Sequence, residues 1–324
     1  MNMNNFKKIG LSALAGSLVA FSVNAAEMSA SGGASLTMSD QGLDQENNKW
    51  TMGNSVTFSA SGETDGGINV SASYELDDDV MDDYSMSFGT DEMGTVTFSG
   101  SGGSSAMSAV DDMTPNAYEE SWHGMKVDAT ATSAGASVIN GLAGANMFSY
   151  SSPSFGGATL TASYLPSSAT VSVKSSTAIA IAWSPEMAEG LTIGYASQDD
   201  ESGSATTASD DTSESTAYIK YVYGPVTVGY QQSDLDSDTD TEDAESDAFG
   251  ITYAVSDELT IGYGQHTWET TSVTTDKDQE SSAITASYTS GGMTIAGIMN
   301  SVDNMAGTDT NDKEGYELNL SFAF

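Results

Sequence analysis

The chain ends with Gly315-Tyr-Glu-Leu-Asn-Leu-Ser-Phe-Ala-Phe324, a segment in which apolar and polar side chains alternate strictly. Successive side chains of a β-strand point to opposite faces, so the segment predicts a strand with one wholly apolar face and one small or polar face. The apolar face consists of Tyr316, Leu318, Leu320, Phe322 and Phe324.

The same period-two alternation recurs along the chain, interrupted by segments rich in glycine or aspartate. We count sixteen such segments, beginning at Met28, and each predicts a strand. Seven of the fifteen connections are short, for example Gly224-Pro225, and eight are longer and mostly acidic, for example residues 77–83, 199–214, 233–245 and 301–314. Short turns that alternate with long loops are typical of an up-and-down meander.

Two all-β architectures can host this pattern, because apolar faces are buried in a β-sandwich but face lipid in a membrane barrel. The polar faces consist almost entirely of Ser, Thr, Gly, Asn and Ala, which suits a wet lumen. A closed barrel also gives every backbone N–H and C=O an internal partner in lipid. Aromatic residues cluster near strand ends, where the membrane interfaces would lie: Trp50, Tyr74, Tyr164, Trp183, Tyr195, Tyr253 and Phe324.

We therefore predict a 16-stranded antiparallel up-and-down transmembrane β-barrel. The alternative is a secreted acidic β-sandwich, an adhesin or surface-layer protein that binds divalent ions.

Residues 1–25 have the features of a signal peptide. Lys7 and Lys8 form a basic start, residues 9–23 are mostly apolar, and small residues surround Ala25. The apolar run is too short for a membrane-spanning helix. We expect cleavage after Ala25 or Ala26, which leaves residues 26–324 for the barrel.

The composition excludes several classes of function. The sequence has 46 acidic residues, eight lysines, no arginine and no cysteine. Nucleic-acid binding needs basic patches, and disulfides and thiolate sites need cysteine, so these classes are excluded. The two histidines, His123 and His266, are predicted to lie in loops, and neither occurs in a hydrolase or metalloprotease motif. We predict that the protein is not an enzyme and needs no cofactor.

Four stretches resemble general porins of Gram-negative outer membranes, especially the purple-bacterial (alphaproteobacterial) type. They are residues 54–74, 94–100, 148–164 and 315–324, and the last is similar to the terminal assembly signal of outer-membrane barrels. The resemblance implies a homotrimeric diffusion channel for small hydrophilic solutes and ions. It also implies a third loop folded into each barrel as a constriction, and contacts with the barrel-assembly machinery, outer-membrane lipid and lipopolysaccharide.

The third loop would span about residues 100–145, which is too long for an ordinary connection. In the family, acidic groups on this loop face basic groups on the barrel wall. Without arginine the wall can offer only lysine, and Lys49, Lys174 and Lys220 lie outside the loop. Carboxylates that line a narrow pore concentrate cations, so we predict cation selectivity; alternatively, these charges only keep the loop solvated. The predicted constriction residues are Asp111, Asp112, Glu119, Glu120, Lys126 and Asp128, with Trp122 and His123 between them.

Acidic residues also alternate at Asp234, Asp236 and Asp238, as in a helix-flanked calcium loop. Thr239 occupies the position that requires glycine, however, and the flanking segments read as strands. We therefore expect loosely bound Ca²⁺ or Mg²⁺ at most.

Overall fold

The structure is a computed structural model that describes residues 27–40, 49–78, 80–125, 139, 141–167, 173–202, 211–237, 243–270, 277–309 and 311–324. The predicted signal peptide, Lys126, Asp128 and Asp238 lie outside the described residues. Apart from two short 3₁₀ helices, η1 (Ser108–Val110) and η2 (Met305–Gly307), the regular structure in these ranges is all β. None of the described helices has the length and apolar character needed to cross a membrane.

Sixteen of the described strands form one closed antiparallel barrel, and the two-residue strands β6 (Gly103–Ser104) and β7 (Ala143–Gly144) pair only with each other. The barrel strands are β1 (Glu27–Asp40), β2 (Lys49–Glu63), β3 (Asn69–Asp77), β4 (Val80–Thr90), β5 (Gly94–Ser101), β8 (Met147–Ser151), β9 (Ala158–Leu165), β10 (Val173–Trp183), β11 (Leu191–Ser202), β12 (Thr212–Tyr223), β13 (Val226–Ser237), β14 (Ala244–Ala254), β15 (Leu259–Thr270), β16 (Gln279–Ser290), β17 (Met293–Asp303) and β18 (Lys313–Ala323).

The first and last strands close the barrel. Strand β1 pairs with β18 from Gly33↔Ala323 to Asp40↔Tyr316. Gly32 and Phe324 continue this ladder, since the backbone N–H of each donates to the carbonyl of the other at 2.9 Å. Closure gives every barrel strand two neighbours and leaves the barrel without an edge. The predicted sixteen antiparallel strands are confirmed, and the β-sandwich alternative is wrong because one continuous sheet closes on itself.

Alternation gives each barrel strand two faces, an apolar face with most of the large hydrophobic side chains and a polar face with mostly small or polar ones. On β16, Gln279, Ser281, Ala283 and Thr285 are buried, whereas Ile284 on the apolar face is 65 % exposed. Large apolar side chains exposed all around a barrel are suited to contact with lipid. The aromatic residues predicted for the interfaces are all exposed: Trp50, Tyr74, Tyr164, Trp183, Tyr195, Tyr253 and Phe324.

Several hairpins extend further than the sequence pattern predicts. Residues 77–83 are not a long loop, because β3 ends at Asp77, β4 begins at Val80, and these two residues pair. Strands β11, β13 and β17 likewise continue into segments predicted as acidic loops. Backbone ladder bonds do not depend on side-chain polarity, so pairing continues past the point where the apolar face ends.

Candidate functional site

The longest connection of the barrel joins β5 to β8 and covers residues 102–146, of which 102–125, 139 and 141–146 are described. Its two ends pair through β6 and β7, and the Ser105 N–H donates to the Leu142 carbonyl at 2.9 Å. Residues 105–125, here called the acidic segment, contain four of the six predicted constriction residues.

The start of the acidic segment packs against β9, β10 and β11. The Ala106 N–H donates to Ser163 Oγ at 2.9 Å, and the Met107 side chain is fully buried. The wall positions beneath Met107 are small, so the segment can approach the strands closely. The apolar cluster here consists of Ala106, Met107, Ile139, Ala178, Ala180 and Ala196.

The middle of the acidic segment is held by Gln231 on β13. The Gln231 side chain accepts from the Met113 N–H at 2.6 Å and donates to the Val110 carbonyl at 2.7 Å. Two wall glycines leave room for Pro115. A Cβ atom at Gly229 would lie 2.6 Å from Pro115 Cδ, and one at Gly250 would lie 2.6 Å from the Pro115 carbonyl oxygen.

The end of the acidic segment contacts β16 and β17. Ser121 and Ser281 share a hydroxyl–hydroxyl hydrogen bond of 2.7 Å. The Asn300 side-chain amide donates to the carbonyls of Ser121 and His123 at 3.2 and 2.8 Å. Met125 is fully buried against Val302 and Met305. Apart from Met305, which lies in η2, the residues outside the connection in these three sets of contacts lie on the polar faces of barrel strands.

Asp112 forms a compact turn within the acidic segment. Its Oδ1 accepts from the Thr114 N–H at 2.8 Å and from the Thr114 hydroxyl at 2.6 Å, and its Oδ2 accepts from Asn116 at 3.2 Å. Burial nevertheless raises the pKa of Asp112 to about 6, because desolvation of the carboxylate outweighs these bonds. Burial also raises the pKa of Asp111.

A second polar cluster links the segment to β18. The Tyr118 hydroxyl donates to Glu317 Oε1 at 2.6 Å. His123 lies between two carboxylates, with Nδ1 3.3 Å from Glu119 Oε2 and Nε2 3.5 Å from Glu317 Oε1. Burial raises the pKa of Glu119 and of Glu120. Burial alone would lower the pKa of His123, but the hydrogen bond to Glu317 and the nearby carboxylate charges outweigh burial and raise it.

Comparisons with known proteins identify the family. A family model described as Gram-negative porin matches residues 10–304. The chain belongs to this family. The porin has no match among curated proteins. Among solved structures, it is similar to the anion-selective porin from Comamonas acidovorans, with 13% identity, coverage of 92% of this chain and 100% of that chain, and a TM-score of 0.70.

Two further solved structures resemble this porin. One is OmpT, an outer membrane protein of Vibrio cholerae, in its trimer form, with 13% identity, coverage of 93% of this chain and 100% of that chain, and a TM-score of 0.66. The other is a mutant of the Rh. blastica porin, with 16% identity, coverage of 92% and 100%, and a TM-score of 0.62. At these sequence identities the similarity shows only that this porin shares their fold.

Family and fold together make the protein a diffusion porin of the outer membrane. They confirm the predicted outer-membrane location and the prediction that the chain is a channel rather than an enzyme. Porins as a family need no cofactor.

One correction concerns His266, which lies in β15 rather than in a loop and is buried against Trp122, with ring centroids 4.2 Å apart.

The other predicted site residues are spread over the porin. Asp234 and Asp236 lie in β13 rather than in a loop, and both are exposed on its apolar face. Lys49 and Lys220 occupy polar-face positions of β2 and β12. The predicted assembly signal occupies the apolar face of β18 and the residue that follows it: Tyr316, Leu318, Leu320, Phe322 and Phe324.

The wall residues that sequence reasoning missed include three with larger polar side chains that contact the connection. Glu317 accepts from Tyr118, Gln231 holds Met113, and Glu214 Oε2 accepts from the Gly141 N–H at 2.7 Å. All three are larger polar residues on polar faces that otherwise carry mostly small side chains. That contrast is the one signal in the sequence that could have pointed to them.

Proposed function

We propose that the acidic segment is the constriction of a pore that prefers cations. The supporting observation is that the segment is hydrogen-bonded to polar-face side chains on β9, β13, β16, β17 and β18. The apolar faces are exposed to the outside, so the polar faces line the interior. A segment that contacts polar faces on such widely spaced strands fits inside the barrel, where it narrows the pore.

The charges around the acidic segment support cation preference. Asp111, Asp112, Glu119 and Glu120 are partly buried on it, and Glu317 adds a fifth carboxylate from the wall. His123 lies between Glu119 and Glu317, so a positive charge on it would be matched by these two carboxylates. Carboxylates between low-dielectric walls concentrate cations and repel anions. Solutes would then be selected by size and by charge at the same place.

The anion-selective porin from Comamonas acidovorans has a similar fold but only 13% identity. Selectivity depends on the side chains at the site rather than on the fold. Acidic groups on the segment and basic groups on the opposite wall would create an electric field across the pore. In this porin the basic groups would have to be lysines, because the chain has no arginine. The polar-face residues Lys49, Lys220 and Lys313 are wall cations that would oppose the acidic segment.

We also infer a homotrimer, as in the trimer form of OmpT, and a protein of the purple-bacterial type. The exposed apolar face of β18, with the Phe322 and Phe324 rings 6.2 Å apart, suits recognition by the barrel-assembly machinery.

Asp234 and Asp236 are exposed two residues apart, about 7 Å along the strand. That spacing fits loosely held Ca²⁺ or Mg²⁺, which could bridge to lipopolysaccharide, better than a chelating site.

The test is the reversal potential of the refolded mature porin in a planar bilayer under a salt gradient. We expect a cation-selective potential that moves toward zero when Asp111, Asp112, Glu119 and Glu120 are changed to their amides. The matched control is Asp234→Asn with Asp236→Asn, which removes two charges from an apolar face and should leave the potential unchanged. Anion selectivity of the unmodified porin would contradict the proposal.

A further inference from the structure

Three potential metal ligands converge on one turn of the acidic segment. One side-chain ligand atom from each of Glu119, Glu120 and His123 lies within 4.8 Å of the other two. The turn is closed by the His123 N–H, which donates to the Glu120 carbonyl at 3.0 Å. Ser281 and Asn300 hold this turn to the wall. The three ligands are therefore held on a backbone that is already fixed.

The orientation of His123 distinguishes this group from a simple acidic cluster. Its Nε2 faces the wall carboxylate of Glu317 at 3.5 Å, whereas Nδ1 faces Glu119. A neutral imidazole that donates from one nitrogen to a carboxylate carries its lone pair on the other nitrogen, so a metal ion would take the place of the Nδ1 proton of His123. Metal-bound histidines in proteins are commonly oriented in this way, by a carboxylate on the far side of the ring. Glu317 is itself fixed by the Tyr118 hydroxyl at 2.6 Å.

The distance between the His123 and Glu119 ligand atoms also fits a metal ion. Zinc binds nitrogen and carboxylate oxygen at about 2.0–2.2 Å in tetrahedral geometry, so two ligand atoms lie roughly 3.3–3.5 Å apart. The distance between His123 Nδ1 and Glu119 Oε2 is 3.3 Å.

The group is accessible to an ion from the solvent. The side chains of His123 and Glu119 are 31% and 33% exposed. Three protein ligands leave a fourth position for water, as in open zinc sites. Imidazole with carboxylates suits first-row transition ions such as zinc, copper and nickel, whereas calcium and magnesium prefer oxygen ligands alone.

We propose that Glu119, Glu120 and His123 bind a divalent transition-metal ion, and that Glu317 is a positioning residue for His123. Bound metal neutralises two carboxylates and occupies space in the constriction, so it reduces cation conductance. The effect on conductance rests on the proposed function, whereas metal binding itself does not.

The primary experiment is calorimetric titration of ZnCl₂ into the refolded, detergent-solubilised porin at constant neutral pH. We expect one site that His123→Gln weakens by more than 100-fold, while Glu317→Gln weakens it about 10–100-fold, as is usual for residues that orient a metal ligand. The control variant Asp234→Asn with Asp236→Asn should bind zinc like the unmodified porin. Heat-modifiable gel mobility verifies that each variant is a folded barrel.

Two results would overturn the metal site. Zinc could bind His123→Gln as tightly as the unmodified porin, or CaCl₂ could compete with zinc at equal concentration. Either result would mean that the acidic surface only collects divalent ions without a specific ligand set.

Single-channel conductance then separates the metal site from the constriction. Zinc at concentrations that saturate the site should lower the conductance of the unmodified porin but not that of His123→Gln. His123-dependent binding without an effect on conductance would support the metal site and contradict the location of the acidic segment in the pore.

Discussion

The barrel wall and the acidic segment are held in different ways. Neighbouring barrel strands are joined by continuous backbone ladders, such as the twelve register pairs from Thr212↔Ser237 to Tyr223↔Val226 between β12 and β13. The acidic segment instead depends on side chains, chiefly those of Gln231, Ser281 and Asn300. Backbone ladders tolerate most side-chain changes that keep the alternation. A segment held by a few polar side chains can be moved by one substitution.

The barrel wall should be most sensitive to charge on its apolar faces. Leu320 lies at the centre of the apolar face of β18, and it is exposed to the outside. We expect Leu320→Lys to destabilise the barrel by about 2–4 kcal/mol, the cost of a lysine near the middle of the bilayer. Urea unfolding in lipid vesicles measures this change. Ser321→Lys, on the polar face of the same strand, is the control and should cost much less; equal effects would contradict the assignment of the two faces.

Loss of the Gln231 side chain should loosen the acidic segment and leave the barrel strands unchanged. Gln231→Ala removes the acceptor of the Met113 N–H and the donor to the Val110 carbonyl. Leaving such groups unsatisfied costs about 1–3 kcal/mol each, so we expect amide exchange in residues 105–125 to rise at least tenfold. Exchange in the barrel strands should not change, and hydrogen-exchange mass spectrometry compares the two regions. Gln232→Ala, on the opposite face, should behave like the unmodified porin.

The charge of the acidic segment should depend on pH near the pKa of Asp112. The pKa of Asp112 is raised by burial to about 6, so this group is ionised above pH 6 and neutral below it. Lowering the pH from 7.5 to 5 therefore removes negative charge, and the cation preference should fall. The reversal potential at each pH measures the effect. Asp112→Asn should remove the part of this change centred near pH 6; a variant with the same pH profile as the unmodified porin would contradict the role of Asp112.

Features that depend on local side-chain pattern could be predicted from the sequence. Alternation is a local property, so residues 315–324 alone predict a strand with two distinct faces. Repetition of that pattern, together with interfacial aromatics such as Trp183, predicts the closed barrel. Hairpin length was mispredicted at Asp77 and Val80 because backbone pairing leaves no trace in side-chain polarity. The position of His266 in β15 was missed for a related reason, since Gly262 and Gly264 give the polar face of that strand no side-chain pattern.

The sequence by itself determined the strands, the polarity of their faces, the excess of negative charge and the acidic character of the long connection. Only the tertiary structure decided which wall groups meet that connection. Tyr118 and Glu317 are 199 residues apart, and their contact depends on closure of the barrel and on the path of the acidic segment across the wall. Periodicity reports the direction in which each side chain points, whereas proximity across a barrel depends on the register of all the strands between the two residues.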